Sequence, residues 1–162
     1  MPATYDKITA YTAPSAVSSY TFTSIPATYT DLVVVIAATS DTGGSRALFM
    51  QYNSDTGTNY SQTYLNGDGT TAASGRGSNA NQISELLSIT PSNPAQSNIS
   101  IQNYANTTTY KTSVNRGNSM NQVAASVGLW RSTAAITAIK FMPSGGNFNT
   151  GSTFTLYGIK AA

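Results

Sequence analysis

The stretch Leu32-Val33-Val34-Val35-Ile36 reads as a β-strand that is apolar on both faces. β-branched residues suit a pleated surface, and a continuous apolar run of this length is typical of a central strand covered on both sides. The next apolar run, Ala47-Leu48-Phe49-Met50-Gln51-Tyr52, predicts a strand near a sheet's interior edge. These two runs indicate a fold built around a buried sheet.

On both sides of these runs, shorter segments rich in β-branched and aromatic residues are separated by Gly, Asn, Asp and Pro. This alternation predicts short strands joined by tight turns, because Gly and Asn tolerate the positive φ that such turns demand. Turns are predicted at residues 54–57, 66–69, 115–118 and 144–147. About ten strands are predicted, at residues 17–23, 32–36, 47–52, 59–65, 83–89, 99–104, 108–114, 122–130, 136–142 and 153–159.

Many short strands at this spacing predict an all-β fold, a single antiparallel β-sandwich. Residues 70–81 are rich in Gly, Ser, Ala and Asn without apolar periodicity, and they predict a long exposed loop. Residues 82–87 fit either a strand or one helical turn, since their apolar residues match both periods.

Composition narrows the class of protein. A length of 162 residues with 40% hydrophobic content suits one domain spanning residues 1–162. The net charge is only +2, and the cations are scattered, which disfavours nucleic acid as a partner. The longest apolar stretch, residues 32–38, is far shorter than the ~20 residues of a membrane-spanning helix. The N-terminus lacks the pattern of a secretory signal, so no membrane partner or export is predicted.

The inventory of reactive groups favours a structural or binding protein over an enzyme. The chain contains no histidine and no cysteine, which excludes Ser-His-Asp and Cys-His catalysis and the usual zinc ligands. Glycoside hydrolysis needs only two carboxylates and stays open, with Asp55, Asp68 and Glu85 as candidates. Most of the acids lie in Gly- and Thr-rich turns, where Asp commonly accepts hydrogen bonds from backbone amides.

Residues 53–59 only superficially resemble a calcium loop, and no metal or other cofactor is predicted.

Aromatic and amide residues supply the candidate interaction surface. Trp130, followed by Arg131, offers a ring that stacks on a sugar, although a lone tryptophan at the end of an apolar strand also suits a core anchor. A second group flanks a predicted turn and suits either a sugar or a neighbouring subunit. Its members are Asn103, Tyr104, Asn106 and Tyr110.

Four stretches give the chain a family likeness: IPATYTDL at 25–32, QNYANTTTYK at 102–111, VGLWRS at 127–132 and GSTFTLYGIK at 151–160. With these the chain resembles small virion proteins of tailed bacteriophages. The resemblance implies a jelly-roll sandwich made in the host cytoplasm and assembled on the virion. It implies either a capsid decoration (cement) protein or a component of the tail's host-recognition apparatus. These stretches carry no functional motif, so no site residue is transferred.

The absence of a recognisable fibrous shaft favours decoration. The expected partners are then the major capsid protein and copies of the chain itself in a homotrimer, with host surface glycan as the partner in the tail alternative. Residues 1–11, with Tyr5, Ile8 and Tyr11, suit an N-terminal arm that reaches a neighbouring subunit. They suit an ordinary edge strand equally well.

Overall fold

The computed structural model describes residues 4–84, 88–120 and 122–160. These residues form 12 strands and no helix, so none of them builds a helical membrane span. The predicted all-β class is confirmed. The strands are β1 (Tyr5–Thr12), β2 (Tyr20–Phe22), β3 (Asp31–Ala38), β4 (Arg46–Tyr52), β5 (Tyr60–Gly67), β6 (Ala72–Ala80), β7 (Ser88–Ile89), β8 (Ala95–Ile101), β9 (Lys111–Ser119), β10 (Gln122–Trp130), β11 (Ile139–Pro143) and β12 (Thr153–Ile159).

The strands form two antiparallel sheets, which confirms the predicted sandwich. The eight-stranded sheet has the order β1-β12-β3-β8-β9-β10-β5-β6, and the four-stranded sheet has the order β2-β11-β4-β7. Four pairs are nested along the chain: β1 with β12, β2 with β11, β3 with β8, and β4 with β7. The hairpins β5–β6 and β9–β10 are inserted into this nested set and widen the larger sheet on one side.

The hydrophobic core lies between the two sheets. Large side chains from both sheets meet there, including Phe22 and Phe141 from the smaller sheet and Phe154 from the larger one. The Phe154 ring centroid lies 4.9 Å from that of Phe148 and 6.1 Å from that of Phe141. Such contacts between aromatic rings add to the free energy gained from burying their apolar area.

The predicted loop at 70–81 is wrong, because most of it forms β6. Residues from Ala72 onward pair with β5 in a hairpin. A Cβ on Gly75 would overlap the Tyr64 side chain, so the absence of a side chain there lets Tyr64 lie across the strand. Strand pairing depends on backbone hydrogen bonds and does not require apolar side chains. The hydrophobic periodicity of these residues therefore did not indicate a strand.

The predicted turn at 115–118 is also wrong. Strand β9 continues through these residues to Ser119, and Gln122 pairs with Ser119 at the start of β10. Asn115 and Gly117 stand within the ladder, where β8 and β10 hold them on both sides. In the segment predicted as either strand or helical turn, Ile83 forms a bridge with Met50, and residues 85–87 lie outside the described residues.

Candidate interaction surface

The larger sheet consists of two halves that differ in the polarity of their faces. We call strands β1, β12, β3 and β8 the inner half, and strands β9, β10, β5 and β6 the extension. In the inner half, most side chains that face the smaller sheet are apolar and fully buried, as Leu32, Ile36, Ile99 and Leu156 illustrate. The inner half therefore supplies the apolar core on its side of the sandwich.

In the extension, several of the corresponding inward positions are polar, although Tyr60 and Trp130 belong to the hydrophobic core. Lys111 and Asn115 of β9, Ser126 of β10 and Gln62 of β5 are all buried. The Lys111 Nζ atom donates to the carbonyl oxygens of Thr109 at 2.7 Å and Thr133 at 3.2 Å, while burial lowers its pKa. These hydrogen bonds offset the cost of removing polar groups from water.

Several outward positions of the extension are apolar instead. The exposed fractions are 63% for Leu65, 39% for Val114, 64% for Val123 and 49% for Val127. Val127 is paired with Val114, and Leu65 with Ala125, so these side chains adjoin one another across three strands. We call this set, with Ala125, the outer apolar patch. Clustered exposed apolar side chains on a soluble domain mark a binding surface more often than scattered ones do.

Strand β3 of the inner half also carries an exposed apolar side chain on this outer face. Its predicted central position is confirmed, since β12 and β8 flank it. The predicted cover on both faces holds for Val33, which is buried, and fails for Val35, which is 40% exposed. Alternate residues of one strand share a face, so Val35 lies on the same side of the sheet as the outer apolar patch.

Two predicted interaction residues are buried, and their assignment to a surface was wrong. Trp130 is 2% exposed and lies 5.5 Å from the Tyr52 ring, centroid to centroid, so the core-anchor alternative is correct. Its Nε1 donates to Asp55 Oδ2 at 2.6 Å. Tyr104 is fully buried, and its hydroxyl donates to the carbonyl oxygen of Pro26. Neither ring offers a face to a sugar.

The polar residues near these rings form hydrogen bonds within the chain. Arg131 donates to Thr58 O at 2.6 Å and to Asn79 Oδ1 at 2.9 Å. Asn106 Oδ1 accepts the Thr108 amide at 2.7 Å, which is the geometry of an Asx turn.

Asn103 also belongs to the turn, because it has a φ of 49° and donates its amide to Asp31 Oδ1 at 2.6 Å. Tyr110 alone of the predicted turn group presents a ring to solvent, with 56% exposure. The structure therefore leaves one aromatic residue of that group available for contact.

The N-terminal segment forms the edge strand β1 in this structure. Tyr5 is 59% exposed, whereas Ile8 packs against the core. Tyr11 stacks on Tyr20 with ring centroids 4.1 Å apart. An N-terminal arm would require this strand to leave β12, with which it pairs along its length.

The candidate carboxylates Asp55 and Asp68 accept hydrogen bonds within the turns in which they lie. Burial tends to raise the pKa of Asp55, but hydrogen bonds from Trp130, Asn59 and the Gly57 amide outweigh it, so the pKa lies below its ordinary value. Asp68 accepts the Thr71 amide at 2.7 Å and the Thr70 amide at 2.9 Å, and these bonds lower its pKa to about 2. Such carboxylates suit turn stabilisation better than proton transfer near neutral pH. Glu85 lies outside the described residues.

No group of three or more potential metal-ligating side chains occurs among residues 4–84, 88–120 and 122–160. No family model, curated protein or solved structure matches the chain.

Sequence reasoning missed the outer apolar patch, although one signal points to it. Val123, Ala125 and Val127 alternate with smaller or polar residues, which defines a face without saying whether it is buried. Trp130 stands on the opposite face of the same strand, and a tryptophan anchored in the core directs the valines outward. That inference needs the position of Trp130, which the sequence left open.

Proposed function

We propose that this chain is a structural protein of a tailed-phage virion, a capsid decoration protein that binds across neighbouring capsid subunits and stabilises the mature shell. The nested strand pairing supports the jelly-roll type, because a long antiparallel hairpin that rolls up produces nested pairs of this kind. The resemblance to small virion proteins supports the phage assignment.

The outer apolar patch is the observation that carries the binding role. Strands β9, β10 and β5 hold these side chains on a sheet, so they are ordered before a partner arrives. A preorganised surface loses less conformational entropy on association than a flexible one does. The proposed mechanism is mechanical: the chain binds the assembled shell better than its separate subunits and stabilises it by mass action.

The direct test measures binding to mature capsids purified without this protein. The wild-type chain should bind saturably and raise the temperature at which the shell opens. Val127→Lys should reduce occupancy strongly, because it places a charge within the patch. Met120→Lys is the matched control, since Met120 is 65% exposed and lies in the β9–β10 turn. Equal binding of Val127→Lys and wild type would refute the role of the patch.

Copy number separates decoration from a tail location. Quantitative mass spectrometry of purified virions should give a copy number comparable with that of the major capsid protein. Light scattering should detect the homotrimer that a decoration protein at threefold positions requires. A copy number comparable with that of tail proteins would refute decoration.

A glycan-binding tail protein is the alternative, and the exposed ring of Tyr110 favours it. Tyrosine stacks on sugar rings through its face, and Asn106 lies in the same loop. This alternative expects saturable binding to host surface glycan that Tyr110→Ala abolishes without loss of folding. A glycan array without binding would exclude it.

A further inference from the structure

Arg116 is a charged residue that stands directly opposite a member of the outer apolar patch. It stands on β9 opposite Ala125 of β10, which is itself paired with Leu65 of β5. On its other side it is paired with Asn98 of β8. Val114 and Asn118 share its face along β9, since they are two residues away. The guanidinium group therefore belongs to the border of the patch.

The outer face around Arg116 has an excess of positive charge. Lys7 and Arg76 stand on the same face at its two edges, and Asp31 is the acid that the described residues place on this face. The Asp31 carboxylate already accepts the Asn103 amide at 2.6 Å. Across the described residues, the ion pair found joins Lys160 to Asp6. Arg116 is thus exposed, and none of the carboxylates in the described part of the chain forms an ion pair with it.

Amide side chains surround Arg116 on the outer face. Gln96, Asn98 and Asn118 line a shallow depression together with Arg116 and Val35. A guanidinium group presents a planar fork of N–H donors that matches a carboxylate in two parallel hydrogen bonds. Neighbouring amide groups add further donors for the same oxygens.

We propose that Arg116 anchors a carboxylate of the protein that docks on the outer apolar patch. The partner surface then consists of apolar side chains with an Asp or Glu among them. This inference rests on the proposed function and specifies the partner's chemistry at that surface. Arginine beside an apolar contact is a frequent source of binding energy at protein interfaces.

The charge distribution disfavours two other occupants. A second copy that docks face to face through the same patch would bring two positively charged surfaces together, which costs free energy. A nucleic acid needs cations along a continuous track. Lys7 stands four strands from Arg116, and Arg76 three strands from it in the strand order. At about 4.8 Å per strand, these gaps are roughly 19 Å and 14 Å.

The test uses the same purified capsids and compares three variants. Arg116→Gln should weaken capsid binding on the order of 30-fold or more, as expected when one partner of a desolvated charge pair is removed. Arg116→Lys should restore part of the affinity, because an ammonium group keeps the charge without the fork. Arg76→Gln is the control at the sheet edge and should change affinity less than about fivefold. All three should unfold at the wild-type urea midpoint, since both arginines are exposed.

The outcomes separate this inference from the proposed function. If Arg116→Gln binds like wild type while Val127→Lys does not, the proposed function stands and the carboxylate anchor is refuted. If the wild-type chain does not bind capsids, both are refuted. Binding to a DNA oligonucleotide or an anionic polysaccharide that Arg116→Gln abolishes would overturn the protein partner. Reduced salt dependence of capsid binding in Arg116→Gln would support the anchor.

Discussion

In the inner half of the larger sheet, most residues that face the smaller sheet are apolar, whereas in the extension several of them are polar. Ile36 and Leu156 are fully buried in the first, while Asn115 and Ser126 occupy the same side in the second. Several apolar residues of the extension, such as Val127, face solvent instead. The apolar side chains of the inner half thus mostly contribute to the core, and those on the outer face of the extension remain available for a partner.

The two halves also differ in how they meet the smaller sheet. The inner half contacts it through a continuous apolar layer. The extension is held at the end of β10, where Trp130 packs against Tyr52 and Tyr60 and donates its indole N–H to Asp55. A few aromatic and polar contacts therefore replace a broad apolar layer.

The largest expected difference comes from truncating an apolar side chain in each half. Phe154→Ala removes a fully buried ring of the inner half and should lower the free energy of unfolding by about 3–5 kcal/mol. Leu65→Ala removes a side chain that is 63% exposed in the extension and should change it by less than about 0.5 kcal/mol. Urea denaturation measures both. A comparable loss in Leu65→Ala would mean that the outer apolar patch belongs to the core.

A smaller difference is expected from adding a methyl group at two glycines. A Cβ on Gly158 would lie 2.3 Å from Cγ of Tyr29, at the base of the ring, which has little room to move. Gly158→Ala should therefore cost about 1–3 kcal/mol. A Cβ on Gly75 would lie 2.3 Å from the hydroxyl oxygen of Tyr64, which is the far end of a partly exposed side chain. Gly75→Ala should leave the urea midpoint near that of wild type, and an equal loss at both positions would contradict this difference between the two contacts.

The smallest effect is expected at Asp55, where the extension is attached. Asp55→Asn replaces a charge-assisted bond to Trp130 by a neutral one and should cost about 1 kcal/mol near neutral pH. The pKa of Asp55 is lower in the folded chain than its ordinary value, so the carboxylate stabilises the fold above that ordinary value. The stabilisation is lost as pH falls through the folded pKa. Unfolding curves of wild type and Asp55→Asn should therefore converge on acidification, and a constant gap would exclude this assignment.

Much of the fold could be predicted from local sequence. The run at residues 32–36 predicted a central strand, and Gly and Asp at residues 66–69 predicted the β5–β6 turn, where Asp68 accepts two backbone amides. Strand β6 could not be predicted from its small side chains, because it depends on pairing with β5. Asn and Gly at 115–118 resemble a turn, yet strands on both sides hold them extended.

The candidate site was predicted less well than the fold. Exposed aromatic residues were the expected signal, but the indole of Trp130 and the hydroxyl of Tyr104 find hydrogen-bond partners inside the protein. An aromatic residue with a polar group suits a surface or a core equally well until its neighbours are known. The outer apolar patch was missed for the converse reason, since valines in strands are ordinarily expected to be buried.

Local sequence signals are enough to predict an all-β chain, because alternation, β-branched runs and turn residues act over a few residues. They also define the two faces of each strand, since alternate side chains point to opposite sides. Which of these faces became the inside depended on tertiary contacts. The inner face is the one that lies opposite the other sheet. In the extension, Trp130 and the buried polar residues beside it occupy that face, so the valines of β10 face solvent.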